Sequence, residues 1–326
     1  MAPPNPLLDL PGMAVLRERV DKRLATAVES ADPAMTEMAS HLVMAGGKRL
    51  RPVLAALSST AGSGPAAVTD DAVTGGVACE LVHVGSLHHD DVIDEAETRH
   101  SVESVNARWG NLRAILSGDF LLARASELAA SLGTEVAGLL AATIGRLCEG
   151  EVRELQHAYQ VTRTEPDYRV AIEGKTAALY ATACRIGGIV GGLPRPEIDA
   201  LTDFGLHFGL AFQVVDDVLD VVATDEELGK PAGHDMAEGI YNLPVLRTLA
   251  GPDGDELRAL LGGPLTAEAQ ARALALVRAG DGVAQAVAEA TAYVERAEDA
   301  LAGLPPSAAG TALAAAARHL LVGLDR

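Results

Sequence analysis

The pattern Asp90-Asp91-Val92-Ile93-Asp94 recurs 126 residues later as Asp216-Asp217-Val218-Leu219-Asp220, each copy set in apolar sequence. On an α-helix the first and last aspartates of D-D-x-x-D stand one turn apart on one face, so each copy offers two carboxylates to a common point. Burying such carboxylates without compensation is too costly for a folded chain. Two such helices facing each other could hold a cluster of hard divalent ions between them. Magnesium suits the arrangement, because it takes carboxylate oxygen and water and is commonly completed by substrate phosphate. A solvated surface patch is the competing reading of either copy alone, and two copies at identical spacing in apolar surroundings weigh against it.

The rest of the composition fits a helical protein. Hydrophobic residues make up 48% and aromatics 3% of 326 residues, and mean hydropathy is +0.17, so core is ample but little of it is β-forming. A formal charge of −19 excludes general nucleic-acid binding, which needs a basic face. Cys79, Cys148 and Cys184 are far apart without metal-ligand spacing and read as reduced core thiols of a cytoplasmic protein. Residues 1–11 read as a disordered lead without signal-peptide character, and residues 12–326 as a single all-α domain. No stretch is long and apolar enough for a spanning helix.

Helical periodicity places helices near 12–30, 33–45, 51–61, 70–92, 105–109, 111–131, 134–158, 166–174, 176–191, 197–223, 235–249, 254–261, 266–280, 282–303 and 307–323, with no competing strand pattern. Phe204, Phe208, Phe212, Asp216 and Asp220 follow at intervals of four, an aromatic stripe ending in the acid pair, which suggests an apolar wall beneath a polar mouth. Gly205 and Gly209 flank the stripe and allow a neighbouring helix to come close.

Cations gather at glycine breaks. Gly46-Gly47-Lys48-Arg49-Leu50-Arg51-Pro52 puts Lys48 and Arg51 at a helix start, where backbone amides favour an anion. Arg99 follows the first acid motif, Gly174-Lys175-Thr176 marks another break, and Gly229-Lys230-Pro231 follows the second acid motif.

In order and spacing over residues 30–250, this set, with Leu87-His88-His89 before the first acid motif and Phe212-Gln213 before the second, closely resembles the trans-isoprenyl diphosphate synthases. The resemblance implies many antiparallel helices around a deep central cavity, usually in a homodimer, and a magnesium-dependent head-to-tail condensation of isopentenyl diphosphate with an allylic diphosphate. It implies three magnesium ions, with manganese as a substitute, on Asp90, Asp91, Asp94, Asp216 and Asp220. Arg99, Lys175, Thr176, Gln213 and Lys230 would bind the allylic diphosphate. Asp90, Asp94, Asp216, Lys175 and Lys230 would carry its ionisation. Gly47, Lys48, Arg51, His83 and His100 would hold isopentenyl diphosphate. Product release implies at most a transient membrane contact.

The chain departs from the family at His100, where a second arginine is usual, at Ser101 in place of glycine, and at Ile240 and Asn242 in place of lysine and threonine. One helical turn before Asp90, Gly85 and Ser86 are small, with Val82 a turn further back. Short-chain synthases commonly carry a bulky aromatic at that level. An open gate here implies a tail of about six to ten isoprene units, at ~5 Å of depth per helical turn. Geranylgeranyl diphosphate is the alternative product. A terpene cyclase and a non-catalytic subunit of a heteromeric synthase are the alternative functions.

Overall fold

Residues 10, 12–99, 102–224 and 232–324 are described by a computed structural model. The chain runs α1 (Met13–Ala27), α2 (Pro33–Met44), α3 (Leu50–Ser59), α4 (Asp70–Ile93), β1 (Thr98–Arg99), β2 (Val102–Glu103), α5 (Val105–Trp109), α6 (Asn111–Ser131), α7 (Thr134–Gln156) and α8 (Glu165–Ile172). A π-helical turn, Glu173–Ala177, leads into α9 (Ala178–Val190) and α10 (Arg195–Val222). Then come α11 (His234–Ala237), α12 (Leu243–Leu249), α13 (Gly254–Leu260), α14 (Ala267–Ala279), α15 (Gly282–Leu301) and α16 (Ala308–His319). The all-α reading holds.

The 24-residue α4 is central because it is largely apolar and buried on nearly every side from Ala72 to Val84. Thr69 starts it, its hydroxyl accepting from the Ala72 amide at 3.2 Å, and Asp70 and Asp71 favour the positive end of the helix dipole. Helices α3 and α6 pack on α4, while α10 packs between α9 and α15. Gly205 and Gly209 make the α9–α10 contact possible. A Cβ at 205 would lie 2.7 Å from the Tyr180 carbonyl oxygen, and one at 209 would lie 2.6 Å from the Ala177 Cα.

Three local expectations are corrected. Helices 166–174 and 176–191 do not break at Gly174, since the backbone continues through the π turn. The expected helix 235–249 is two helices, parted at Gly239, whose φ of 81° no ordinary side chain adopts without strain. A short antiparallel ladder pairs Thr98 with Glu103 and Arg99 with Val102, where no strand was expected. No helix among the described residues is long and apolar enough to cross a membrane.

Candidate active site

Helices α4 and α10 deliver their acid ends to one cavity of about 560 Å³. Asp90 and Asp94 reach it from the end of α4, and Asp216 and Asp217 from α10, while Asp235 enters from α11. Helical geometry sorts the motif members as the one-turn argument requires for Asp90 and Asp94. Asp91, one residue round the helix, is fully buried away from the cavity and pairs with Arg99, whose Nε and Nη2 both stand 2.7 Å from Oδ1. Asp220 is also buried and does not line the cavity; it accepts from the Asp235 amide at 3.4 Å. Asp91 and Asp220, expected as direct ligands, therefore stand behind the cavity wall rather than on it. Asp217 and Asp235 stand at the cavity instead.

The carboxylates are crowded beyond what the cavity's own cations offset. Desolvation pushes Asp90 up to about 7, against the pull of Lys175 and Arg99, and Glu151 and Asp94 add to the rise. Asp94 is raised by desolvation and then by Glu238. Asp217 is raised by desolvation and Asp235, although two hydrogen bonds work the other way. Among the described residues no three acidic, histidine or cysteine side chains converge into a closed metal site. An open cavity walled by oxygen donors still fits magnesium, whose shell is largely water and phosphate.

A hydrogen-bonded chain crosses the cavity wall. Thr176 donates to Oε1 of Gln213 at 2.7 Å, Gln213 Nε2 donates to Oδ1 of Asp217 at 2.9 Å, and Tyr168 donates to Oδ2 of Asp217 at 2.5 Å. Both oxygens of Asp217 are thus engaged. Lys175, on the π turn, lines the same cavity as Thr176 and Gln213.

A second cavity, of about 290 Å³, contains Gly47, Lys48, Arg51 and His83. Gly46 and Gly47 have φ of 101° and 143°, and Arg49 caps α3 with φ of 51°. Arg49 is buried and turned inward, donating to the Val43 carbonyl and to Glu80 Oε1 at 3.2 Å. Arg51 lies over the Tyr180 ring at 4.5 Å, and its Nε is buried without a hydrogen-bond partner. A stacked guanidinium with a spare donor is suited to an anion.

The two cavities are neighbours along the same stretches of chain. Leu87 on α4, Tyr180 on α9 and Phe212 on α10 line the smaller one, while Asp90, Thr176 and Gln213 line the larger. The aromatic stripe is reduced accordingly. Phe204 and Phe208 are core, and of the three phenylalanines only Phe212 lines the smaller cavity.

Gly85, expected at the chain-length gate, is packed against a neighbouring helix. It faces α6, where a Cβ would lie 3.1 Å from the Gly118 carbonyl oxygen and 3.4 Å from Leu121 Cβ, so its smallness serves helix packing. Val82 is buried core, and the Ser86 hydroxyl donates to the His83 carbonyl at 2.8 Å. His100, Ser101 and Lys230 lie outside the described residues. Sequence reasoning missed Glu151, Glu154, Arg163 and Tyr168. Charges at 151 and 154, one helical turn apart and each followed by an apolar residue, Val152 and Leu155, were the available signal for the glutamates.

Comparison with known proteins agrees with this geometry. The Polyprenyl synthetase family model matches residues 32–277. A nonaprenyl diphosphate synthase of Mycobacterium tuberculosis is 40% identical over 302 residues, 91% of this chain and 89% of that protein. A heptaprenyl diphosphate synthase component 2 of Geobacillus stearothermophilus is 36% identical over 88% of this chain and 89% of its own length. The crystal structure of a polyprenyl synthase from Caulobacter crescentus CB15, complexed with calcium and isoprenyl diphosphate, superposes with a TM-score of 0.89 at 31% identity, covering 97% of this chain and 96% of that one.

Proposed function

The chain belongs to the polyprenyl synthetase family, and from that premise we propose how its residues divide the reaction. It is a prenyltransferase, joining isopentenyl diphosphate to an allylic diphosphate to lengthen an all-trans prenyl chain. The observation that carries the assignment of residues is the pair of neighbouring cavities, one acidic and one cationic, that share α4 and α10.

Asp90, Asp94 and Asp216 would hold divalent cations, magnesium by the chemistry of the donor set, with the allylic diphosphate completing their coordination. Such cations supply charge neutralisation for the leaving diphosphate. Thr176 fixes the Gln213 amide, whose second hydrogen is left for the diphosphate, and Lys175 and Arg99 supply positive charge. Lys230 and His100 keep the roles implied by their motif positions. In the neighbouring cavity Lys48, Arg51, His83 and the Gly47 backbone hold isopentenyl diphosphate, its double bond directed toward the allylic carbon. Phe212, Tyr180 and Leu87 form an apolar wall between the two sites and keep water from the carbocation. Loss of a proton to the released diphosphate completes the step.

The cationic cavity favours a synthase over a terpene cyclase, which ionises one diphosphate and needs no second site. Product length is proposed from the relatives, whose names place them at seven and nine units, and not from Gly85. Leu112, Ile115 and Leu116 on α6 are 79%, 41% and 58% exposed, a face suited to a second copy of the chain. Incubating the purified chain alone with magnesium, isopentenyl diphosphate and farnesyl diphosphate, and sizing both product and particle, tests these statements together. No extended product from the lone chain would mean that it works as one component of a heteromer.

A further inference from the structure

Lys175 faces the acidic cavity with its ammonium already engaged. Nζ donates to Glu154 Oε2 at 2.6 Å and stands 2.7 Å from Glu151 Oε2, an ion contact that is not aligned as a hydrogen bond. The two glutamates lie three residues apart on α7, one turn along the same face. Backbone contact fixes the arrangement. A Cβ on Gly150 would lie 2.5 Å from the Lys175 amide nitrogen, and one on Gly174 would lie 2.7 Å from the Arg146 carbonyl oxygen. Glycine at both positions lets the π turn sit directly on α7. From the other side, buried Arg163 stands 3.9 Å from Glu154 Oε1. Burial opposes the ammonium charge, but Glu154, Glu151 and Asp90 outweigh it and hold the lysine above its ordinary pKa.

With Arg163 behind Glu154 the clamp carries no surplus positive charge, and Asp90, Asp94, Asp216 and Asp235 line the same cavity and make its field negative. A diphosphate without cations meets this field with its main counter-charge already satisfied. The same diphosphate with its charge neutralised by bound cations is no longer repelled, and its oxygens can take the ammonium from the glutamates.

We propose that Glu151 and Glu154 make the site selective for cation-loaded diphosphate by holding Lys175 away from the bare anion. The inference rests on the reading of this cavity as the allylic diphosphate site. It turns Lys175 from a standing anion receptor into a conditional one, and it excludes free polyphosphates when divalent cation is scarce.

Inorganic pyrophosphate titrated calorimetrically into the full chain, in EDTA and in excess magnesium, tests this. In EDTA the Glu151→Gln, Glu154→Gln double variant should bind at least tenfold more tightly than wild type, and adding Lys175→Gln should remove the gain. Unchanged or weaker binding in EDTA, with an unaltered circular dichroism spectrum, overturns the clamp. So does a gain that survives Lys175→Gln, since it would come from lost repulsion alone. If the double variant does not fold, Glu151→Gln is judged by the same comparison with a threefold threshold. Lys175→Gln in the otherwise wild-type chain should weaken binding in magnesium at least tenfold. No weakening there overturns the reading of the site itself, a different failure from that of the clamp.

Discussion

Tyr168 donates its hydroxyl to Asp217 across 2.5 Å, with both side chains buried. The bond joins α8 to α10 and, through Gln213, reaches Thr176 on the π turn. Tyr168→Phe keeps the ring and removes the donor, leaving a buried carboxylate oxygen unsatisfied at a cost of about 1–3 kcal/mol. Urea unfolding should show that loss in midpoint with an unchanged slope. An unaltered midpoint would show that the bond contributes nothing net.

Asp90→Ala and Asp216→Ala should each lower condensation by more than tenfold, about 1.4 kcal/mol of transition-state stabilisation, because both residues face the cavity and neither fills core volume. Circular dichroism should be unchanged. Asp91→Ala should behave differently. It frees Arg99 and empties a fully buried position, so it should lower the thermal midpoint as well as the rate. Equal midpoints for all three variants would count against the distinction.

What could be read in advance follows from what one helix can encode. The spacing within the first acid motif puts Asp90 and Asp94 on one face, and both line the cavity; the same argument pairs Asp216 with Asp220, where the cavity takes Asp216 and Asp217 instead. Gly47, Lys48, Arg51 and His83 were legible through motif order. Contacts between distant helices were not. Nothing in a linear reading shows that Gly85 is small because Gly118 comes close, or that Lys175 lies between Glu151 and Glu154. The π turn at Glu173–Ala177 escaped for a related reason, since a glycine that normally signals a break is used here to let α7 approach.

The three cysteines should separate in reactivity. Cys148 is exposed, whereas Cys79 and Cys184 are buried, and burial pushes both of these up from 9.0 to about 12. A thiol reagent at neutral pH should label one site per folded chain and three after denaturation. The linkage has a definite sign. Between pH 9 and 12 the unfolded chain loses these protons and the folded chain keeps them, so stability falls as pH rises, by up to ~1.4 kcal/mol per pH unit for each thiol. Cys184→Ala should show a shallower fall than wild type across that window. An identical slope would exclude the buried Cys184 thiol as a contributor.

Gly85→Phe separates a chain-length gate from a packing requirement. If position 85 opened into a tail channel, the ring would shorten the product and leave the fold untouched. The structure places it against α6, with the Gly118 carbonyl oxygen 3.1 Å and Leu122 Cδ2 3.4 Å from where a Cβ would stand. A benzyl group has no room there unless α4 and α6 separate, and overpacking of this kind costs about 1–3 kcal/mol or more. Asp90, further along the same helix, and Asp94, which caps it, would move with it. The expected result is a lower thermal midpoint and a reduced rate at every product length. Gly85→Ala, which asks Gly118 to yield only a few tenths of an ångström, should lose far less. A Gly85→Phe enzyme of normal stability that makes a discrete shorter product would restore the gate and show that α6 gives way to the growing chain.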